Sequence, residues 1–300
     1  MQISGHDIRV EYITNIFIGS GIEVNESQDW KAKLEAISNK IPSKTDALKP
    51  LIQFIVATIA PSKIYMIMHR DTEAKEEYID LLIVVPDSKG VSFTELEPIL
   101  EMACLNNQRV LYSLHSEGNL VSGLKNGHIF YSLNCIPENL VYDDKTIAYP
   151  TTTPEALKTM KALVYEKFNA GLRKAQDFYE SAVLFHKQHS SPVVAFMLHQ
   201  AIELTYRAIL RSLSGYDKKT HELRILKKHI RRCSPLLSNI FPDNTDEEKI
   251  WLDILETTYL KARYEDDYQI RETDIALLFE KAKLLLTTSE EVVKTKLSVI

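Results

Sequence analysis

Glycine is scarce in this sequence, with nine residues among 300 against a usual share of about 7%. Glycines form the tight turns by which a backbone wraps around phosphate groups, and neither G-x-x-x-x-G-K-[ST] nor G-x-G-x-x-G occurs here. The two most common glycine-rich phosphate loops are therefore excluded. With only eleven prolines, the scarcity also argues against an all-β sandwich, which needs a turn roughly every 8–12 residues.

Cysteine is also rare, with Cys104, Cys135 and Cys233 widely spaced and in no C-x-x-C pair. The odd number of cysteines, three, and their wide spacing predict reduced thiols in a reducing compartment. A metal site built from them is not expected. Residues 1–20 mix charged and apolar types without the layout of a signal peptide. No apolar run reaches the roughly 18 residues of a membrane span, so we expect a cytoplasmic protein that does not enter the membrane.

Charge is distributed unevenly along the chain, whose formal net charge is −5. The first 150 residues carry 13 Lys and Arg against 20 Asp and Glu, a net charge of −7. The remaining 150 carry 23 against 21, a net charge of +2. The difference indicates two units with different surfaces, and an anionic ligand is expected on the second.

The polar segment at residues 143–153, with Pro150 and a run of threonines after it, is typical of a linker. We predict an α+β protein with an N-terminal extension at 1–46, a small mixed α/β domain at 47–144, a linker at 145–153 and a helical bundle at 154–300. The first half is predicted to contain a strand at 8–18, helices at 30–41, 47–60, 92–105 and 118–125, and strands at 63–68, 78–85, 109–114 and 128–134.

Helix signals dominate the second half. Thr153 followed by Pro154 predicts a helix start, and that helix extends to about residue 189 with a break or bend at Gly171. Further helices are predicted from Pro192 to the Ser214-Gly215 cap, over residues 222–232 and from Thr245 and Thr273. Such a series of helices with short polar turns is typical of an antiparallel bundle.

Four segments of the second half resemble, in order, those of the HEPN domain, named for higher eukaryotes and prokaryotes nucleotide binding. They are DFYESAVLFH at 177–186, AFMLHQAIELTYRAIL at 195–210, KTHEL at 219–223 and YLKARYEDD at 259–267. In the second, Arg207 stands where the family has Lys, and in the fourth, Glu265 stands where it has Pro. The resemblance implies a helical bundle that forms a homodimer through its long helices, with a nucleotide or RNA in the cleft between the paired domains.

The first half resembles, over residues 47–144, a minimal nucleotidyltransferase of the polymerase-β type. That family has Gly-Ser after one strand and Asp-x-Asp on the next, whose carboxylates hold the Mg²⁺ ions for phosphoryl transfer. Met68 and His69 stand in place of Gly-Ser, and Tyr78 replaces the first carboxylate, so that Asp80 alone remains. One carboxylate cannot build a two-metal site, and the resemblance therefore implies a degenerate, inactive domain.

Arg263 is the first candidate site residue, because HEPN ribonucleases carry Arg, then four to six residues, then His. Arg stabilises the phosphate charge there, and His moves a proton. No His lies in this window, where Tyr268 follows Arg263 after four residues, and a phenol with a pKa of about 10 is a poor base at neutral pH. Arg263, with Lys261, Tyr264 and Tyr268, can therefore serve structure or dimer contacts, nucleotide binding, or cleavage.

The most basic stretch, residues 218–232, provides Lys218, His221, Arg224, Lys228 and Arg231 as further candidates. On a helix begun at Thr220, the last three of these share one face, which could follow a phosphate backbone or could be a solvated surface. The stretch contains no Phe, Tyr or Trp, so it does not by itself predict base stacking.

On the preceding helix, His199 and Glu203 are spaced by four residues and are expected to fix packing register rather than bind metal. We accordingly predict a non-catalytic HEPN-type homodimer that binds a nucleotide or RNA, with no cofactor, no metal and no readout of DNA sequence. Two alternatives stay open. One is a HEPN ribonuclease with a base from outside the usual window, such as His221 or His229. The other is a structural adaptor without a small ligand.

Overall fold

The computed structural model describes residue 37 and residues 48–71, 76–105, 109–187, 191–215, 219–262, 264–265 and 267–298. The predicted strand at 8–18 and, apart from Ile37, the predicted helix at 30–41 lie outside the described residues. The chain divides into two compact units. The sheet unit takes the described residues of 1–68, 78–122 and 134–150, and the helical unit takes those of 69–77, 123–133 and 151–300.

The sheet unit contains four strands, which are β1 (Lys63–Asp71), β2 (Glu76–Val85), β3 (Val110–Ser116) and β4 (Leu140–Asp143). Their order in the sheet is β3-β2-β1-β4. Strand β2 pairs parallel with β3, from Ile79 opposite Val110 to Val85 opposite Ser116, and β1 pairs antiparallel with β4. In chain order, helix α1 (Lys49–Ile59) precedes strand β1, which is followed by β2 and helix α2 (Phe93–Cys104). Strand β3, helix α3 (Glu117–Lys125) and strand β4 come next.

Local signals place these elements as predicted. Pro50 lies in the first turn of α1, where its missing N–H costs no hydrogen bond. The Ser92 hydroxyl accepts a hydrogen bond from the backbone N–H of Thr94 and caps α2. Strand β2 lies between β1 and β3, and its apolar side chains Leu81 and Ile83 are fully buried. They belong to the same hydrophobic core as Ile52 of α1 and Leu100 of α2.

One predicted strand is wrong: residues 128–134 form a helix, α4 (Ile129–Asn134), rather than a strand. Its backbone makes the helical bond from the N–H of Ser132 to the carbonyl of His128. The adjacent side chains Ile129 and Phe130 are both buried, whereas a half-buried strand would bury only every second residue. Tertiary packing has here overridden the β-propensity of a short apolar run.

The helical unit contains α5 (Pro154–His186), α6 (Ser191–Ile209), α7 (Leu223–Cys233), α8 (Pro235–Asn239), α9 (Asp246–Lys261) and α10 (Glu272–Ser298). Helix α6 is central and packs against α5, α7, α9 and α10. Its inward face, which includes Leu198, Ile202 and Tyr206, is fully buried. This arrangement confirms the predicted α+β class and the predicted helices of the second half.

Helix α5 continues through Gly171 without a break, so the predicted interruption there is wrong. A Cβ atom at Gly171 would lie 2.8 Å from the Cβ of Ala208. The glycine therefore serves a close approach of α5 to α6 rather than a bend. The N-termini follow their predicted caps: Thr153 accepts from the N–H of Ala156, and Thr245 forms a capping box with Glu248.

The segment Ser191–Ser214 is long and apolar enough to meet the criteria for a membrane span, although no apolar run of that kind was expected. Among the described residues it is the one helix that does so. Most of its side chains are buried by the other helices of the unit. Its apolar composition is accounted for by its central position in the bundle.

Candidate functional site

A buried carboxylate, Glu203, is the centre of a polar cluster in the helical unit. It lies on α6, and its side chain is 2% exposed. Its oxygens accept hydrogen bonds from Nη1 of Arg207 at 3.2 Å, Nε2 of Gln200 at 3.2 Å and Nδ1 of His221 at 3.0 Å. A buried carboxylate needs such donors to compensate for its lost hydration.

Gln200 connects Glu203 to the second histidine of the cluster, His199. The Nε2 atom of Gln200 lies 3.2 Å from Nδ1 of His199 as well. Because an amide nitrogen only donates, Nδ1 of His199 is the acceptor, and this fully buried imidazole is neutral. His199 and Glu203, predicted to set register, are thus members of one network, and Nδ1 of His199 lies 4.0 Å from the carboxylate.

The ring of Tyr259, near the end of α9, joins the cluster by stacking. Its centroid lies 4.6 Å from that of His199 and 5.0 Å from that of His221, and the ring planes are tilted by 29° and 19°. The ring of Phe196 also stacks with Tyr259, at a centroid distance of 6.0 Å. Distances and angles of this kind are those of favourable aromatic pairs.

Local backbone features bring His221 to Glu203. The chain leaves α6 through a π-helical turn, Leu210–Ser214, and ends it at Gly215, whose φ is +67°. Only glycine fits there, because an added Cβ would also lie 2.1 Å from the ring of His128. The Thr220 hydroxyl accepts a hydrogen bond from the N–H of Glu222, two residues on, in a turn that immediately precedes α7.

The pair of Glu203 and His221 has the chemistry of an oriented imidazole. An ionised carboxylate only accepts hydrogen bonds, so Nδ1 of His221 carries the hydrogen and donates a hydrogen bond to Glu203. This leaves Nε2 as the acceptor nitrogen, on a side chain that is 58% exposed. The arrangement can receive a proton or a hydrogen bond from a ligand, and a buried partner fixes its tautomer.

The predicted site residues at and after the end of α9 partly contact one another. Lys261 forms an ion pair with Glu265 at 3.1 Å, and its Nζ lies 5.8 Å from the ring centroid of Tyr268. The hydroxyls of Tyr268 and Thr258 are 3.0 Å apart. Tyr264 is 78% exposed. Arg263 lies outside the described residues.

Two cations of the basic helix α7, Arg224 and Lys227, are paired with acidic residues. Arg224 donates to the carboxylates of Asp253 and Glu256. Lys227, which lies beside the predicted face, is buried and pairs with Asp243, and burial lowers its pKa although that carboxylate opposes the shift.

Two further candidates of the basic stretch differ in exposure. Lys228 is exposed and Arg231 is half-buried. Lys218 lies outside the described residues. The charge that this helix offers to a phosphate backbone is therefore smaller than its composition indicates.

The three residues that the sequence analysis compared with a transferase motif are each described by their own surroundings. Asp80 and Tyr78 on β2 are each 1% exposed, so neither side chain faces solvent. His69, at the end of β1 that groups with the helical unit, is half-buried. Burial lowers the pKa of His69 to about 4, and the positive charges of Lys296, Arg232 and Arg231 act in the same direction.

In the part of the chain that the structure describes, no group of three or more His, Cys, Asp or Glu side chains is placed to hold a metal ion. The cysteines of the same part, Cys104, Cys135 and Cys233, are free thiols. Burial raises the pKa of the Cys104 thiol to about 11, which keeps it protonated and unreactive near neutral pH.

Sequence reasoning named His221 and Glu203 separately and missed that they meet with Tyr259. The i, i+4 spacing of His199, Glu203 and Arg207 already placed three polar groups on one face of an apolar helix. A buried polar stripe needs partners from other helices, and that need was the available signal. Which residues supply those partners depends on how the helices pack.

Three of the four segments that resemble the HEPN pattern contribute to this cluster, through Glu203, His221 and Tyr259. A family model for the HEPN domain matches residues 168–297. No curated protein matches the chain. The resemblance of residues 47–144 to nucleotidyltransferases stays a prediction. Residues 168–297 of this chain, from within α5 into the last turn of α10, are a HEPN domain.

Proposed function

We propose that this protein is a non-catalytic HEPN-type protein that binds a nucleotide or RNA on its helical unit. The binding surface comprises His221, Tyr259 and the residues that follow Tyr259 along the chain, among them Arg263. The observation that carries the proposal is the cluster around Glu203, because it joins three sequence segments into one partly exposed polar and aromatic surface. Arg263 follows Tyr259 by four residues and would supply a positive charge for a phosphate.

Binding is tested by calorimetry of the full-length protein with ATP, GTP and a short single-stranded RNA. We expect heat of binding with at least one of these, and loss of that heat in Arg263→Ala. Lys283→Ala is the control, because Lys283 is an exposed cation of the same unit outside both the cluster and the basic stretch. The proposal is wrong if none of the three ligands binds, or if Arg263→Ala lowers stability without weakening binding.

Thermal unfolding distinguishes binding from a purely structural adaptor. A ligand at 100 times its Kd stabilises the native state by about 2.7 kcal/mol, which should raise the melting temperature measurably. An adaptor without a small ligand would show no change with any nucleotide, and that result would favour the structural alternative.

We further propose that the helical units form a homodimer through their long helices. Apolar side chains on these helices support this, since Leu184 on α5 is 61% exposed and Leu284 on α10 is 53% exposed. Burial of such side chains is a common driving force of association. Light scattering should give twice the chain mass, and Leu184→Glu should shift the population toward monomer. An unchanged mass in that variant would place the interface elsewhere.

Ribonuclease activity is the second candidate function, and the hydrogen bond from His221 to Glu203 specifically favours it. A histidine oriented by a buried carboxylate can serve as the proton acceptor that the usual window after Arg263 lacks. Incubation of the wild type, Arg263→Ala and His221→Ala with total RNA tests this. Cleavage that both substitutions abolish would replace the non-catalytic proposal, whereas intact RNA would support it.

For the sheet unit we propose a degenerate nucleotidyltransferase-like domain in the same cytoplasmic protein. The order of α1, β1 and β2 and the position of Asp80 on β2 support this. Because Asp80 is 1% exposed, Asp80→Asn should change stability rather than any nucleotide transfer. Incorporation of labelled nucleotide that depends on Mg²⁺ and on Asp80 would refute the proposal.

A further inference from the structure

We propose that the base of the nucleotide or RNA bound by the helical unit stacks on the outer face of His221. This inference rests on the proposed binding function and adds to it the side chain that recognises the base. It requires a ligand with an aromatic ring, so that a phosphate or polyphosphate alone would bind more weakly.

The rings of the cluster form a stack that runs from the core to the surface. Tyr259 stacks with fully buried His199 and with His221, at centroid distances of 4.6 Å and 5.0 Å. The planes of Tyr259 and His221 differ by only 19°. One face of the His221 ring is therefore covered by Tyr259. Since the side chain is 58% exposed, its exposed surface is the opposite face and the Nε2 edge.

The orientation of the His221 ring is held from two directions. Its Nδ1 edge is bonded to Glu203 at 3.0 Å, and Tyr259 lies against its inner face. Glu203 is itself held by Gln200 and Arg207. A ring that is already ordered loses little conformational entropy when a ligand stacks on it, so more of the contact energy appears as affinity.

The chemistry of this surface suits a base better than a bare anion. Stacking of a nucleobase on an aromatic side chain changes affinity by roughly 5- to 150-fold. Every base has a flat face, so this contact tolerates different bases, while Nε2 can accept a hydrogen bond from an exocyclic amine or a hydroxyl. A bare polyphosphate has neither a ring to stack nor such a donor, and the neighbouring Glu203 carboxylate disfavours a second negative charge.

Two substitutions at the same position separate stacking from hydrogen bonding. His221→Ala and His221→Phe both remove the hydrogen bond to Glu203, and only the second keeps a flat ring against Tyr259. We would measure the Kd of the full-length wild type and both variants for ATP and for inorganic tripolyphosphate by calorimetry. Circular dichroism melting curves verify that each variant is folded at the working temperature.

We expect the wild type to bind ATP at least 5-fold more tightly than tripolyphosphate. His221→Ala should lose this preference, and His221→Phe should keep ATP affinity within about threefold of the wild type. Equal affinity of the wild type for ATP and tripolyphosphate would overturn the inference while leaving anion binding intact. Loss of ATP binding in His221→Phe as large as in His221→Ala would also overturn it.

A second measurement needs no variant. The fluorescent base analogue 2-aminopurine, as its ribonucleoside triphosphate, should be quenched when it stacks on the protein, and excess ATP should reverse the quenching. Binding without quenching would contradict stacking. A wild type that binds no ATP, GTP or RNA refutes the proposed function itself, which is a different result from binding without preference for a base.

Discussion

Replacing Glu203 by glutamine removes one negative charge from the centre of the polar cluster with little change in volume. Three donors then face a neutral amide: Nε2 of Gln200, Nη1 of Arg207 and Nδ1 of His221. The amide can accept through its oxygen, but its NH₂ group lies against donors. At least one hydrogen bond to a charged acceptor is therefore lost without replacement.

The size of the effect follows from burial. Removing one partner of a fully buried ion pair costs about 3–5 kcal/mol. Here Glu203 is 2% exposed, but the side chain of Arg207 is 18% exposed and can regain some hydration. We therefore expect Glu203→Gln to lower the free energy of unfolding by about 2–3 kcal/mol. With a urea m-value of about 2 kcal/mol/M, the midpoint of the helical transition should fall by roughly 1 M.

The chain offers a matched control in the ion pair of Glu290 with Lys294, which has the same i, i+4 spacing on α10 but lies on the surface. An exposed pair contributes at most about 0.5 kcal/mol. Urea unfolding followed by circular dichroism at 222 nm should therefore give nearly equal midpoints for Glu290→Gln and the wild type. A midpoint of Glu203→Gln within 0.2 M (about 0.4 kcal/mol) of the wild type, at unchanged m-value, would refute the reasoning.

Three further outcomes are expected. The lowered pKa of His69, about 4 in the folded protein against about 6.5 unfolded, means that the unfolded chain binds more protons between these values. Stability should therefore fall as pH drops from 6.5 to 4, and His69→Gln should flatten that slope in melting temperature. Thr245→Ala breaks a capping box and should lower the free energy of urea unfolding by about 1 kcal/mol, which Thr245→Ser should largely avoid. Arg224→Ala removes the side-chain ion pairs with Asp253 and Glu256 and should lower that free energy by about 1–2 kcal/mol, whereas Lys228→Ala should change it by less than about 0.5 kcal/mol.

The helices of the second half were predictable because their signals are local. Thr153 with Pro154 and Thr245 with Glu248 lie within single helical turns, where side-chain oxygens bond the first free N–H groups. The signal at Gly215, which ends the π-helical turn after α6, is equally local, since it depends on one backbone angle. Signals of this kind can be recognised from a window of a few residues.

The two wrong predictions, at 128–134 and at Gly171, arose where local signals were weak. The segment at 128–134 is short and apolar and has no cap, so its pattern fits a strand as well as a buried helix. Gly171 was expected to bend α5 because glycine is a poor helix former. Its place against Ala208 of α6 is a contact between helices, which no single window contains.

The basic stretch shows the same limit for function. Composition alone predicted a surface for phosphates, and the absence of aromatics spoke against stacking. In the folded protein, Arg224 and Lys227 are paired with acidic residues of later segments, while Tyr259 of a later helix stacks against His221. Charge and stacking partners come from other elements, so a stretch read in isolation misjudges both.

The sequence by itself excluded the common glycine-rich phosphate loops. It also predicted the capped helices, and it contains, in order, the segments that mark a HEPN domain. These features depend on residue types and on spacings within one element. Only the tertiary structure decided that Glu203, His221 and Tyr259 form one cluster with an exposed imidazole face. The physical reason is that a buried carboxylate takes its donors, and an aromatic ring its stacking partners, from whichever helices pack beside it.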